Sequence, residues 1–113
     1  MAADTTTTGA GFVHMVYFYL RNEGSADDAQ SLLRGCREHL TNIPGVLRLS
    51  VGTPAGTPRD VVDNAYGVAL LVEFADTAAH DVYQDHPDHL RFIEACSSLW
   101  GRVQVYDTLV ARS

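Results

Sequence analysis

Lysine is missing from this chain: all eight basic residues are arginine, set against fourteen acids for a net charge of −6. Nucleic acid and anionic membranes are both held by basic surface, so neither is an expected partner. The choice of arginine reflects coding composition more than chemistry. Cysteine is scarce too. Cys36 and Cys96 lie in helix-like stretches without metal-ligand spacing, and are expected as buried, reduced thiols. No charged-then-apolar leader opens the sequence, and no apolar run is long enough to span a bilayer, which points to a cytoplasmic protein.

The 113 residues suffice for one domain with a modest core. Residues 1–11 are Ala, Asp, Thr and Gly without apolar periodicity, and are expected as a disordered tail before a single domain over 12–113. Phe12 to Leu20 is aromatic and β-branched and reads as a strand with both faces covered. Ser25 and Asp28 resemble a capping box before a helical stripe of Ala29, Leu32, Leu33, Cys36 and Leu40. Asn42 and Pro44-Gly45 close it. Val46 to Thr53 and Ala65 to Phe74 read as strands, separated by a Gly- and Pro-rich loop. Asp76 starts a helix to about Asp85, and Pro87 restarts it with His89, Phe92, Ile93, Cys96 and Trp100 on one face. Val103 to Val110 reads as the last strand.

Strand, helix, strand, strand, broken helix, strand is the order of an α+β, ferredoxin-like split βαβ fold, with a four-stranded antiparallel sheet and helices on one face. Alternation places Val16, Phe18, Leu47, Leu49, Val51, Val68, Leu70, Val72, Val103 and Val105 under the helices. The opposite face holds Val13, Met15, Tyr17, Tyr19, Ala69, Leu71, Tyr106 and Val110 among a few polar residues. Two helical segments cover only one side, so this tyrosine-rich face is expected to pair with a second copy of the chain.

The string Tyr83-Gln84-Asp85-His86-Pro87-Asp88-His89-Leu90-Arg91-Phe92 is the distinctive one. Together with His14-Met15-Val16, Ile43-Pro44-Gly45-Val46 and Val72-Glu73-Phe74, it resembles the stress-responsive α/β-barrel family over roughly residues 13–110. That resemblance implies a dimeric α/β barrel. The family includes heat-stable plant stress proteins and a polyketide cyclase. By resemblance to the latter, His89 is the general base, Tyr83 the hydroxyl that holds a carbonyl oxygen, and His14 a further pocket histidine. Phe18, Val68, Leu70, Cys36 and Phe92 would line the pocket. The cyclase carries another histidine where this chain has Val68, and a larger polar aromatic at Cys36, two departures from its pocket that leave the substrate open.

A neutral imidazole in a dry pocket can take a proton from carbon beside a carbonyl, and needs no cofactor for it. The expected ligand is small and hydrophobic, or polyketide-like, and the expected chemistry an aldol-type ring closure. A non-enzymatic stress or structural dimer, in which these histidines only pack, is the first alternative. A cofactor-free monooxygenase on the same barrel is the second. His86 and His89 stand at a metal-binding spacing without a third ligand, so no metal is expected and His86 is assigned to closing the turn. The loop from Gly52 to Arg59 lacks the Gly-Lys-Ser/Thr ending of a phosphate loop, and no Gly-x-Ser-x-Gly elbow marks a serine hydrolase.

Overall fold

The computed structural model describes residues 9–111. Strand β1 (Phe12–Leu20) alternates buried and half-buried residues along its whole length. It is paired on one side with β3 (Val68–Phe74) and on the other with β4 (Trp100–Leu109), while β2 (Val46–Gly52) lies outside β3. The order β2-β3-β1-β4 is antiparallel throughout, the ferredoxin-like arrangement expected from the element order. Of the expected tail, residues 1–8 lie outside the described residues. Gly11 belongs to the sheet: its N–H donates to the Phe74 carbonyl and its carbonyl accepts from Val110 N–H, both at 2.9 Å.

Each helix starts where a side chain satisfies an otherwise orphaned backbone N–H. Ser25 Oγ accepts from Asp28 N–H (3.1 Å) to open α1 (Ala26–Leu40). The return half of the capping box is not made, since the Ser25 N–H donates to the Asn22 carbonyl instead. Asp76 accepts from Ala79 N–H (2.9 Å) at the head of α2 (Thr77–Asp85). His86 Nδ1 accepts from Asp88 N–H (3.0 Å) at the head of α3 (Pro87–Cys96), with Pro87 in the first turn, where its missing N–H costs nothing.

The helices sit chiefly over β1, β2 and β3. Leu32, Cys36 and Leu40 of α1 meet Val68, Val72 and Phe74 of β3 in a wholly buried core. Helix α1 comes close to α3 at Gly35, where a Cβ would overlap the Cys96 sulfur. The molecule measures 17 Å in its thinnest direction, the depth of one sheet plus one helix layer, and the second sheet face stays uncovered.

Four sequence expectations change. Leu47 is 52% exposed rather than under the helices, because the β2–β3 ladder slips between Val46 and Arg48 and leaves it as the extra residue of a bulge; Leu49 and Val51, opposite Val72 and Leu70, keep the expected side. Strand β3 begins at Val68, three residues later than expected. Trp100 opens β4 instead of ending the helix: a 3₁₀ turn over Ser97–Leu99 follows Cys96. Its indole still reaches the intended neighbours, 4.7 Å from the Phe18 ring and 5.7 Å from Phe92. Val103 and Val105 point to the helix side but remain exposed, since no helix extends over the β4 edge.

Candidate functional site

That uncovered edge opens a cavity of about 390 Å³ between α3, the end of α2, and strands β1 and β4. Its walls are mostly apolar. Phe18, Leu70 and Phe92, expected as lining, border it, and Trp100, Val103 and Val105 complete the open side. Cys36 and Val68 do not border it. Both are fully buried in the α1–β3 core, and burial pushes the Cys36 thiol up to about 12, an inert thiol.

Three polar rings of the cavity wall, His89, Tyr83 and His14, stand in a file that His80 continues behind the lining. His89 and Tyr83 meet edge to face at 4.9 Å, Tyr83 and His14 at 5.8 Å, and His14 and His80 at 5.0 Å. Tyr83, expected at the rim, is 1% exposed and forms the floor, clamped edge-on against Phe74 at 5.1 Å. It reaches the cavity because α2 carries it toward β1 one turn after His80. Burial raises the pKa of its hydroxyl, which therefore stays protonated and able to donate.

His89 borders the cavity from the first turn of α3. Its Nδ1 is enclosed by protein and has no hydrogen-bond partner among the described residues. Removal from water, followed by the proximity of His14 and His80, lowers its pKa and holds the ring neutral at pH 7. An unpartnered buried nitrogen is uncommon and calls for a reason. His86, three residues earlier, uses its Nδ1 on the α3 cap, and so performs the structural task that His89 does not.

His14 differs from His89 in having a carboxylate partner. Its Nδ1 lies 2.6 Å from Asp107 Oδ1, in direct register across the β1–β4 ladder. Burial lowers the His14 pKa, and the Asp107 carboxylate partly opposes this. Asp107 and His80, which adjoin the cavity through His14, are neighbours that the sequence reading passed over. The signal for Asp107 was present: it continues the helix-facing series Val103, Val105, so a carboxylate there had to meet something polar. His80 carried no comparable signal, because its neighbours are set by how α2 packs on β1.

The family model of the stress-responsive A/B barrel domain, Dabb, matches residues 12–110. The chain belongs to the Dabb family. Comparison with curated proteins finds no match. Among solved structures, a Dabb family protein with a ferredoxin-like fold from Mesorhizobium loti is 26% identical with a TM-score of 0.74, covering 92% of this chain and 99% of its own. A dimeric ferredoxin-like protein of unknown function from Thermobifida fusca is 18% identical with a TM-score of 0.73, covering 90% and 92%. The hydroxynitrile lyase of Passiflora edulis is 14% identical with a TM-score of 0.74, covering 90% and 94%. Among the described residues of this Dabb domain, no helix is long and apolar enough to cross a membrane.

Proposed function

We propose that the cavity binds a small, largely apolar carbonyl compound, such as a polyketide-like acid or thioester, and that His89 moves a proton at the carbon beside the carbonyl. The Tyr83 hydroxyl then stabilises the enolate oxygen, and His14 borders the same space. An aldol-type ring closure or a related carbon–carbon step needs no more than these groups. The observation that carries this reading is the His89 imidazole, left without a partner in the wall of an apolar cavity and one ring away from a protonated phenol. A volume of about 390 Å³ falls in the range of small-molecule sites. That a hydroxynitrile lyase is built on a similar fold supports an enzymatic reading of such a cavity and carries no substrate over.

The test is turnover of poly-β-keto acids or thioesters by the wild type, His89→Ala, His89→Gln and Tyr83→Phe. Loss of the base should lower the rate by about 100-fold or more, with circular dichroism unchanged. An unchanged rate, or a rate that falls only as far as the folded fraction does, counts against the assignment.

We also propose that the uncovered sheet face joins two copies of the chain into a barrel. Tyr17 sits at its centre, edge-on to Tyr66 at 5.0 Å and to Tyr106 at 6.1 Å. The rows Tyr106–Met15–Leu71 and Gln104–Tyr17–Ala69 run across three strands. The Thermobifida fusca and Jannaschia proteins with this fold are both dimeric, which supports the reading.

A further inference from the structure

At the far end of the ring file from His89 stands a group of donors to which the proton-transfer reading assigns no proton. His14 of β1, His80 of α2 and Asp107 of β4 each offer one donor atom, and the three atoms lie within 4.8 Å of one another. His14 Nδ1 is 2.6 Å from Asp107 Oδ1, and His80 Nε2 is 3.9 Å from Asp107 Oδ2. Three separate elements thus deliver two imidazoles and a carboxylate to one point.

The imidazole of His80 is held for this purpose. It stacks on Phe12 at 4.4 Å and 21° and meets Phe74 edge-on at 5.6 Å, so its orientation is set by packing. Its Nδ1 faces Asp81 Oδ1 at 3.5 Å. A carboxylate on that side favours the proton on Nδ1 and leaves the Nε2 lone pair toward Asp107, the outer-sphere pattern that supports metal-binding histidines. The Gln84 side-chain amide is 3.3 Å from the same Nε2, and its oxygen becomes a fourth donor if the amide turns. His14 is buried, whereas Asp107 is 39% exposed, so the group is fixed on one side and reachable from solvent on the other.

We propose that His14, His80 and Asp107 form a binding site for one divalent transition-metal ion of the zinc class, adjoining the cavity where His14 borders it. Two neutral imidazoles and one carboxylate suit zinc, cobalt or ferrous iron better than magnesium or calcium, which prefer all-oxygen cages. Three protein donors leave a position for water or for an oxygen of a bound molecule. The ion takes the place of the proton shared by His14 and Asp107, and their separation opens to about 3 Å, as ligands of a common ion require. The site stands whether or not His89 is a base.

Its test uses untagged protein, stripped with chelator and exchanged into chelator-free buffer. Zinc binding is followed by calorimetry, and cobalt binding by its visible d–d bands. One ion per chain is expected, at low-micromolar affinity or tighter. Asp107→Asn changes a partly exposed side chain and His80→Phe keeps a ring packed on Phe12 and Phe74, so both should keep the wild-type circular dichroism spectrum. Each should weaken binding by at least about 100-fold, more than the loss of an outer-sphere partner costs. His39→Ala and His86→Ala should bind as the wild type does. No binding of either ion, binding unchanged in both ligand variants, or binding lost in His39→Ala or His86→Ala would each overturn the proposal.

Discussion

Two histidines on the cavity wall illustrate how position decides the work of one residue type. His14 is buried with a carboxylate to receive its proton, whereas His89 is half-buried with Nδ1 enclosed and unpartnered. The pKa of His89 lies below its ordinary 6.5, chiefly because folding removes water from the ring. The unfolded chain therefore takes up that proton first as pH falls. The fold keeps its full stability from this group above pH 6.5 and loses it progressively as acid approaches the lower folded pKa. His14 is lowered as well and acts with the same sign. We expect His89→Leu to flatten this acid dependence in part, with the His14 share persisting. Urea midpoints at about pH 7.5 and about pH 5.5 should differ less in His89→Leu than in the wild type. Equal differences would mean that folding does not desolvate the ring. In the proposed reaction the Tyr83 hydroxyl acts from a packed ring, so Tyr83→Phe should shift the urea midpoint little while lowering the proposed turnover.

At the scale of elements, the contact between α1 and α3 rests on a glycine that helix propensity alone disfavours. Alanine in a helix interior is more favourable than glycine by about 1 kcal/mol. At position 35, however, the added methyl would meet the Cys96 sulfur, and overpacking costs about 1–3 kcal/mol. Gly35→Ala is therefore expected to lower the denaturation midpoint. In a Cys96→Ala background the same change should be neutral or stabilising, because the obstructing atom is gone. A loss of equal size in both backgrounds would place the cost elsewhere than at Cys96. The same close approach bears on the cavity, since α3 carries His89 and Phe92 into it. A helix pushed outward by even one methyl would separate His89 from Tyr83, so Gly35→Ala should also weaken activity.

For the whole molecule the decisive feature is the sheet with only one covered side. The single helix layer lies on the other side, so on this face Met15, Tyr17 and Leu71 are only half-buried and Tyr106 is exposed. Sedimentation at micromolar concentration should give twice the chain mass, and Tyr17→Asp should give the single mass by burying an unpaired carboxylate in the contact. A wild type that sediments as one chain would remove the barrel. The cavity opens over the β4 edge, away from the face proposed for pairing, so the single-mass variant should retain the ligand and metal sites if it stays folded.

The elements of this protein were legible in its sequence because each is announced by local chemistry. The ends of β1 and α1, and the caps at Ser25 and Asp76, depend on neighbours a few residues away, and the structure places them where periodicity and capping put them. The ferredoxin-like order followed from that list of elements. Local pattern failed where a single extra residue or an overhanging edge intervened. The bulge that turns Leu47 outward leaves the sequence looking regular, and nothing local tells that Val103 and Val105 lie beyond the reach of the helices. His14, Tyr83 and His89 could be named from their string and their faces, yet only folding makes Tyr83 the floor and removes Cys36 and Val68 from the lining. The joining of His14, His80 and Asp107 was decided by tertiary structure alone. Those residues are far apart in the chain, and strand register together with the seat of α2 on β1 brings them together, two quantities that no window of neighbouring residues contains.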